Sequence, residues 1–205
     1  YAFLLDALLE LMQSKFRVED LHFAEALADV LLEQFEDKKL GGFFFTSNDH
    51  EPLIHRPKPG YDNATPSGNG VAAIALQRLG HVLGRTDYLD AAERTLRLFY
   101  TALEHQPAGF KSLLMALEEH LAPPRIVILR GPEAELWSWQ DALCRAYQPH
   151  SLILAIPDPV QGLPATLAKP ATGTVNAWVC EGVKCLPPST KLEDVQNTCK
   201  ECGFV

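Results

Sequence analysis

Apolar residues in the first 120 positions recur at helical spacing. Leu4, Leu5, Leu8, Leu11 and Met12 follow the i, i+3, i+4, i+7 rule that lays one stripe along a helix. A second helix is predicted over residues 19–35. There Ala24, Leu27, Val30, Leu31 and Leu32 follow Glu19 and Asp20, two acids suited to the positive start of a helix. A third is predicted from Thr65-Pro66, with Thr65 as cap and Pro66 in the first turn, through Val71, Ile74, Ala75 and Leu79. A fourth over 87–104 and a fifth over 109–120 complete the series.

The pattern repeats. Arg17, Glu19, Leu21, Ala24 and Glu25 are answered by Arg85, Asp87, Leu89, Ala92 and Glu93, an offset of 68 residues (24 to 92). By the same offset Ala7, Leu8 and Leu11 fall on Ala75, Leu76 and Leu79. The unit is therefore a helical hairpin plus a long connection. That connection, residues 36–64, is too long for a simple linker in a compact domain. Within it Gly41-Gly42-Phe43-Phe44-Phe45-Thr46 is predicted as a short strand after a glycine turn, with Leu53-Ile54-His55-Arg56 as its hairpin partner.

After Pro123-Pro124 the period changes. Residues 125–129 are an apolar, β-branched run, 133–147 are predicted helical, 151–156 and 175–179 are further strands, and 192–199 a last helix. Strand, helix, strand in that order favours parallel pairing. The sequence is thus read as mainly α: hairpins over 1–122, a partial (α/α)6 toroid on the resemblance given below, followed by a small α/β tail over 123–205. Gly131-Pro132 lacks the later glycines and the Lys-Ser/Thr pair of a phosphate-binding loop.

Composition narrows the partners. A net charge of −8, with 18 basic residues scattered among 26 acidic ones, argues against nucleic acid and against anionic membrane surfaces. No run approaches the roughly 20 apolar residues of a bilayer span. The chain opens without Met and with a helical pattern already under way, without the basic region of a signal peptide, so the natural protein is expected to continue upstream and to be cytoplasmic. Five cysteines, four of them after residue 179, make no evenly spread disulfide framework, which also points to a reducing compartment. Cys180 and Cys185, with Cys199 and Cys202, could be imagined as two zinc-binding pairs, but the first spacing is loose and the second pair is terminal; no metal and no cofactor are expected. Cys144 is expected in the core.

The most informative segment is Tyr61-Asp62-Asn63-Ala64-Thr65-Pro66-Ser67-Gly68-Asn69-Gly70. It delivers Asp62, Ser67, Asn69 and free backbone N–H groups to a helix start, an arrangement suited to hydroxyls or anions. The same residues suit a plain helix cap with close packing at its glycines. Both readings stand at this level.

Gly41-Gly42-Phe43-Phe44-Phe45-Thr46, Arg56-Pro57-Lys58, Asp62 through Asn69, and Val179-Cys180 with Cys185 and Pro187 together resemble the C-terminal half of a conserved-hypothetical family, the spermatogenesis-associated thioredoxin-like proteins and their bacterial relatives. Tyr1-Ala2 is similar to the end of that family's acidic-acidic-Tyr-Ala motif, without the acidic pair. The resemblance implies an upstream thioredoxin-like domain and a barrel similar to N-acylglucosamine epimerases and six-hairpin glycosidases, of which this chain would supply the later hairpins. It implies a carbohydrate or polyol as ligand, with Asp62 and His55 as catalytic candidates and Tyr1, Phe44, Arg56, Ser67 and Asn69 as substrate-binding ones. Glycosidase chemistry needs two carboxylates about one bond, and Asp49 and Glu51 are weaker partners for Asp62. Epimerase chemistry needs histidines, and His55 is the one on the connecting loop, while His22, His81, His105 and His120 are placed on helices or their ends. The alternative is a non-catalytic interaction scaffold attached to a thioredoxin-like domain, in thiol redox or protein quality control.

Overall fold

The computed structural model describes residues 1–182 and 184–200. About half of them are helical, and a small mixed sheet follows the helical part. The described chain divides into two compact units: residues 1–10, 19–81 and 85–122 form the first, and residues 11–18, 82–84, 123–182 and 184–200 the second.

Five helices are laid out along the chain up to residue 121. α1 (Ala2–Ser14), α2 (Val18–Val30), α3 (Gly68–Leu83), α4 (Thr86–His105) and α5 (Lys111–Leu121) stand where the apolar period places them. The 68-residue offset carries the start of α2 at Val18 onto the start of α4 at Thr86. It also carries buried Asp20, Ala24, Leu27 and Ala28 onto buried Tyr88, Ala92, Thr95 and Leu96. The repeat is thus one of burial as well as of letters.

α3 is the inner helix of its unit. Val71 through Gln77 are buried without a break, as expected of a helix that is apolar all round. Its small residues permit close contact: a Cβ added to Gly70 would lie 2.0 Å from Ser112 Oγ on α5. Two of its polar residues, Gln77 and Arg78, are paired. Gln77 Nε2 donates to the Ala116 carbonyl at 2.9 Å, and Arg78 reaches Glu119 at 2.6 Å and Glu10 at 2.9 Å. Glu119 is only 3% exposed, so removing one partner would leave a buried charge alone.

Several boundaries differ from the predicted ones: the helix predicted from 109 starts at Lys111, that predicted over 133–147 ends at Cys144, and two others have a visible local cause. α2 stops at Val30 and a π-turn over Leu31–Phe35 completes the apolar run, its closing bond running from Glu36 N–H to the Leu31 carbonyl at 3.1 Å. α3 begins at Gly68, and the cap is Ser67, whose Oγ accepts the Gly70 N–H at 3.0 Å; Thr65 does not cap it.

The hairpin predicted inside the connection does not form. Phe43 makes a single antiparallel bridge with Glu36, and residues 53–56 are not a strand. Gly41 and Gly42 adopt φ of +81° and +74° and make the predicted glycine turn, but no strand ladder follows it. Pro52 and Pro57 flank the intended partner segment, 53–56, and offer no N–H donor at either of its ends.

In the second unit, β1 (Arg125–Gly131), β2 (Ser151–Pro157), β3 (Asn176–Glu181) and β4 (Lys184–Cys185) form one sheet in the order β2-β1-β3-β4. β1 and β2 are parallel, as predicted for strands joined through α6 (Glu133–Cys144). β3 runs antiparallel to β1, with Ile128 opposite Trp178, and β4 antiparallel to β3; neither was legible beforehand. Val127, Leu129, Ile153, Ala155, Ala177 and Val179 pack with Leu136 and Leu143 of α6 and with Val195 and Cys199 of α7 (Leu192–Lys200). Arg125 ties the end of α7 down, donating to the Thr198 and Cys199 carbonyls while pairing with Glu181.

The cysteines depart from expectation. Cys180 and Cys185 are joined by a disulfide, so neither is a free thiol available to a metal. Cys144 is exposed on the last turn of α6, outside the core. Cys199 is buried, and Cys202 lies outside the described residues. No helix among the described residues is long and apolar enough to cross a membrane.

Candidate functional site

The start of α5 lacks a cap of its own, and Asp62 serves it while also holding Ser67, the cap of α3. α5 follows Phe110, which has no side chain able to cap it. The Asp62 carboxylate accepts the Ser112 N–H at 2.9 Å and the Ser112 hydroxyl at 2.5 Å on α5, and the Ser67 N–H at 2.7 Å before α3. With its proton committed to Asp62, Ser112 Oγ accepts from Ser67 Oγ at 3.2 Å. Asp62 N–H in turn donates to the Gly109 carbonyl at 2.8 Å. Burial disfavours the Asp62 anion, but the bonds from Ser112 and Ser67 outweigh that and hold its pKa below the usual carboxylate value.

Asn69 does the corresponding work for the loop. Its Oδ1 accepts the Phe43 N–H at 2.6 Å, and its Nδ2 donates to the carbonyls of Phe43 at 3.0 Å and Pro59 at 2.9 Å. One side-chain amide thus stands in for a strand partner on the edge of Phe43 that its bridge to Glu36 leaves open. Asn69 is 2% exposed, where unpaired backbone groups are costly.

The remaining candidates separate. Arg56 is folded back on its own loop, donating to the Thr46 carbonyl and to Asn48 Oδ1 while its guanidinium lies 4.2 Å from the Phe44 ring centroid. Lys58 faces the same ring at 5.2 Å and pairs with Asp37 at 2.9 Å. Tyr1 is exposed, its ring 5.2 Å from that of Phe35. His55 is exposed on the loop, and Asp49 and Glu51 are exposed nearby. The structure therefore unites Asp62, Ser67 and Asn69 around the start of α3, sets Arg56 with Phe44, and leaves Tyr1 and His55 in neither cluster.

Ser112 was missed in the sequence. The signal for it was indirect: a helix start at Phe110-Lys111 has no local cap, so an acceptor must come from elsewhere. Also missed was a groove of about 390 Å³ lined by Glu93, Leu96, Arg97 and Tyr100 of α4 with Leu117 and His120 of α5. Its walls are leucine and tyrosine, and a Glu93–Arg97 ion pair at 2.6 Å forms part of its rim.

Fold and site together define a helix-rich protein with a small mixed α/β part, in which the polar side chains at the start of α3 bond chiefly to nearby backbone. No protein-family model matches the chain. It is similar to spermatogenesis-associated protein 20 of Homo sapiens, 28% identical over 199 residues that make up 93% of this chain and 25% of that protein. The Rattus norvegicus protein of the same name is 30% identical over 137 residues, 66% of this chain and 17% of its own length. The Mus musculus protein is 29% identical over 137 residues. These similarities support a relationship to that family. The chain spans about a quarter or less of the length of the curated relatives it matches.

Proposed function

We propose that this chain serves as a non-catalytic interaction scaffold within a longer protein. The observation that carries the reading is the occupancy of Asp62. A general base or nucleophile needs a lone pair directed at substrate, and the Asp62 oxygens already accept three hydrogen bonds from Ser67 and Ser112. Support of a second kind comes from exposed apolar side chains in the first unit, Phe3 and Leu4 on α1 and Phe23 on α2. The groove between α4 and α5, apolar within and charged at its rim, suits a side chain of a protein partner better than a hydroxyl-rich ligand.

A carbohydrate-directed role, which the resemblance implies, would need Asp62 to exchange those bonds for a sugar hydroxyl. The test is Asp62→Asn in the whole protein, followed by melting temperature and by calorimetric titration with a panel of sugars. The scaffold reading expects a stability loss of about 1–2 kcal/mol, as for a helix cap, and no sugar heat in either protein. A sugar bound by the native protein and lost in the variant, with melting unchanged, would overturn it.

A further inference from the structure

The Cys180–Cys185 pair is built for exchange more than for holding the fold. In the β3–β4 hairpin the Leu186 N–H donates to the Val179 carbonyl. Cys180 and Cys185, the next pair along, therefore occupy a non-hydrogen-bonded position, where facing side chains stand closest. The backbone thus holds the two sulfurs within bonding reach. The bridge spans a sequence separation of only 5, and a cross-link over so short a loop restricts the unfolded chain little. The hairpin also has fastenings besides the disulfide, the Glu181–Lys184 pairing and an Ala177–Ser189 bridge.

The two sulfurs differ in access. Cys180 is 5% exposed, whereas Cys185 is exposed on the two-residue edge strand β4. Lys169 Nζ lies 3.7 Å from Cys185 Sγ, where an ammonium favours a thiolate.

We propose that Cys180 and Cys185 form a thiol–disulfide exchange site for a dithiol partner, with Cys185 the sulfur that is attacked and Cys180 the one released. One thiolate of the dithiol bonds to Cys185 Sγ, the Cys185–Cys180 bond breaks, and Cys180 leaves as a thiolate that takes a proton from water. The second thiol of the partner loses its proton and attacks its own sulfur in the mixed disulfide, expelling the Cys185 thiolate beside Lys169. Two electrons pass from the dithiol, which becomes a disulfide, to the protein cystine. Oxidation by a partner disulfide follows the same path in reverse, with Cys185 as nucleophile and Cys180 resolving. This inference is independent of the scaffold reading, since it concerns other residues.

The test uses the whole protein in mixtures of reduced and oxidised dithiothreitol, quenched with acid, alkylated and read by mass spectrometry of the 180–185 peptide. The expected result is a reversible two-thiol transition with the circular dichroism spectrum unchanged. With oxidised glutathione, Cys180→Ser should trap a glutathione adduct at Cys185 at least tenfold faster than Cys185→Ser traps one at Cys180, and Lys169→Met should slow the trapping at Cys185 several-fold. Three outcomes would overturn the proposal. These are reduction of the peptide only after unfolding, showing a buried staple; alkylation of both cysteines in oxidised native protein, showing no bond; and equal trapping of glutathione by the two serine variants.

Discussion

Residues 36–66 and the β1–β2 pair show two ways of ordering a chain. In β1, all seven residues are buried and every position from Arg125 to Gly131 has a partner in β2. Order there comes from many interchangeable apolar contacts on a shared ladder. The loop has an isolated bridge at Phe43 and scattered single backbone bonds in place of a ladder, and leans on a few polar side chains, among them Asn69, Lys58, Arg56 and Asp62. The sheet should therefore fail gradually and globally, whereas the loop should fail at single residues and locally.

The largest expected effect lies in the sheet. Leu129 is fully buried among Leu136, Leu143 and Ile153, so Leu129→Ala should cost about 3–4 kcal/mol through lost transfer energy and the cavity left behind. Urea denaturation would measure it, and conservative Leu129→Met should recover most of the loss. A cost below about 1 kcal/mol would show that the second unit is not a packed core.

Asn69→Ala should come next, at about 2–3 kcal/mol, because it strands the Phe43 N–H and two carbonyls in a buried site. The comparison predicts more than a magnitude. Hydrogen exchange at Phe43 and Phe45 should accelerate strongly while the amides of β1 keep their protection. Equal acceleration in both regions would erase the distinction between them.

The same contrast explains what was legible in the sequence. Helix positions follow from period alone, and the offset from Ala24 to Ala92 transmits burial because equal spacing around a helix axis selects the same face. β1 and β2 were legible as unbroken apolar runs, since a parallel pair covered on both faces needs no alternation. β3 was recognised as a strand, but its direction depends on the course of residues 158–175, which carry no period.

The loop misled for a physical reason. Gly41 through Thr46 has strand composition, yet the partner of Phe43 is an amide 26 residues later in a helix, and no local pattern encodes that. At Asp62 the composition offered both a cap and a ligand site. What separates them is Ser112, 50 residues away, so the choice could not be made from the segment itself.

The smallest effect expected sharpens the comparison from within the helical unit. His81, at the end of α3, is half-buried, and burial first and the neighbouring His120 second lower its pKa below the usual histidine value. Unlike Asp62, no hydrogen bond to its charged form compensates in that balance, so the proton is disfavoured in the folded state. The unfolded chain then binds more protons than the folded one between the depressed folded pKa and the ordinary value of about 6.5. Stability contributed by neutral His81 is complete above that ordinary value and is lost as pH falls from there through the folded pKa. One proton limits the slope to about 1.4 kcal/mol per pH unit. Denaturation midpoints between pH 7.5 and pH 5 should therefore decline in the native protein and decline less in His81→Gln. A variant whose profile runs parallel to the native one would place that pH dependence elsewhere in the chain.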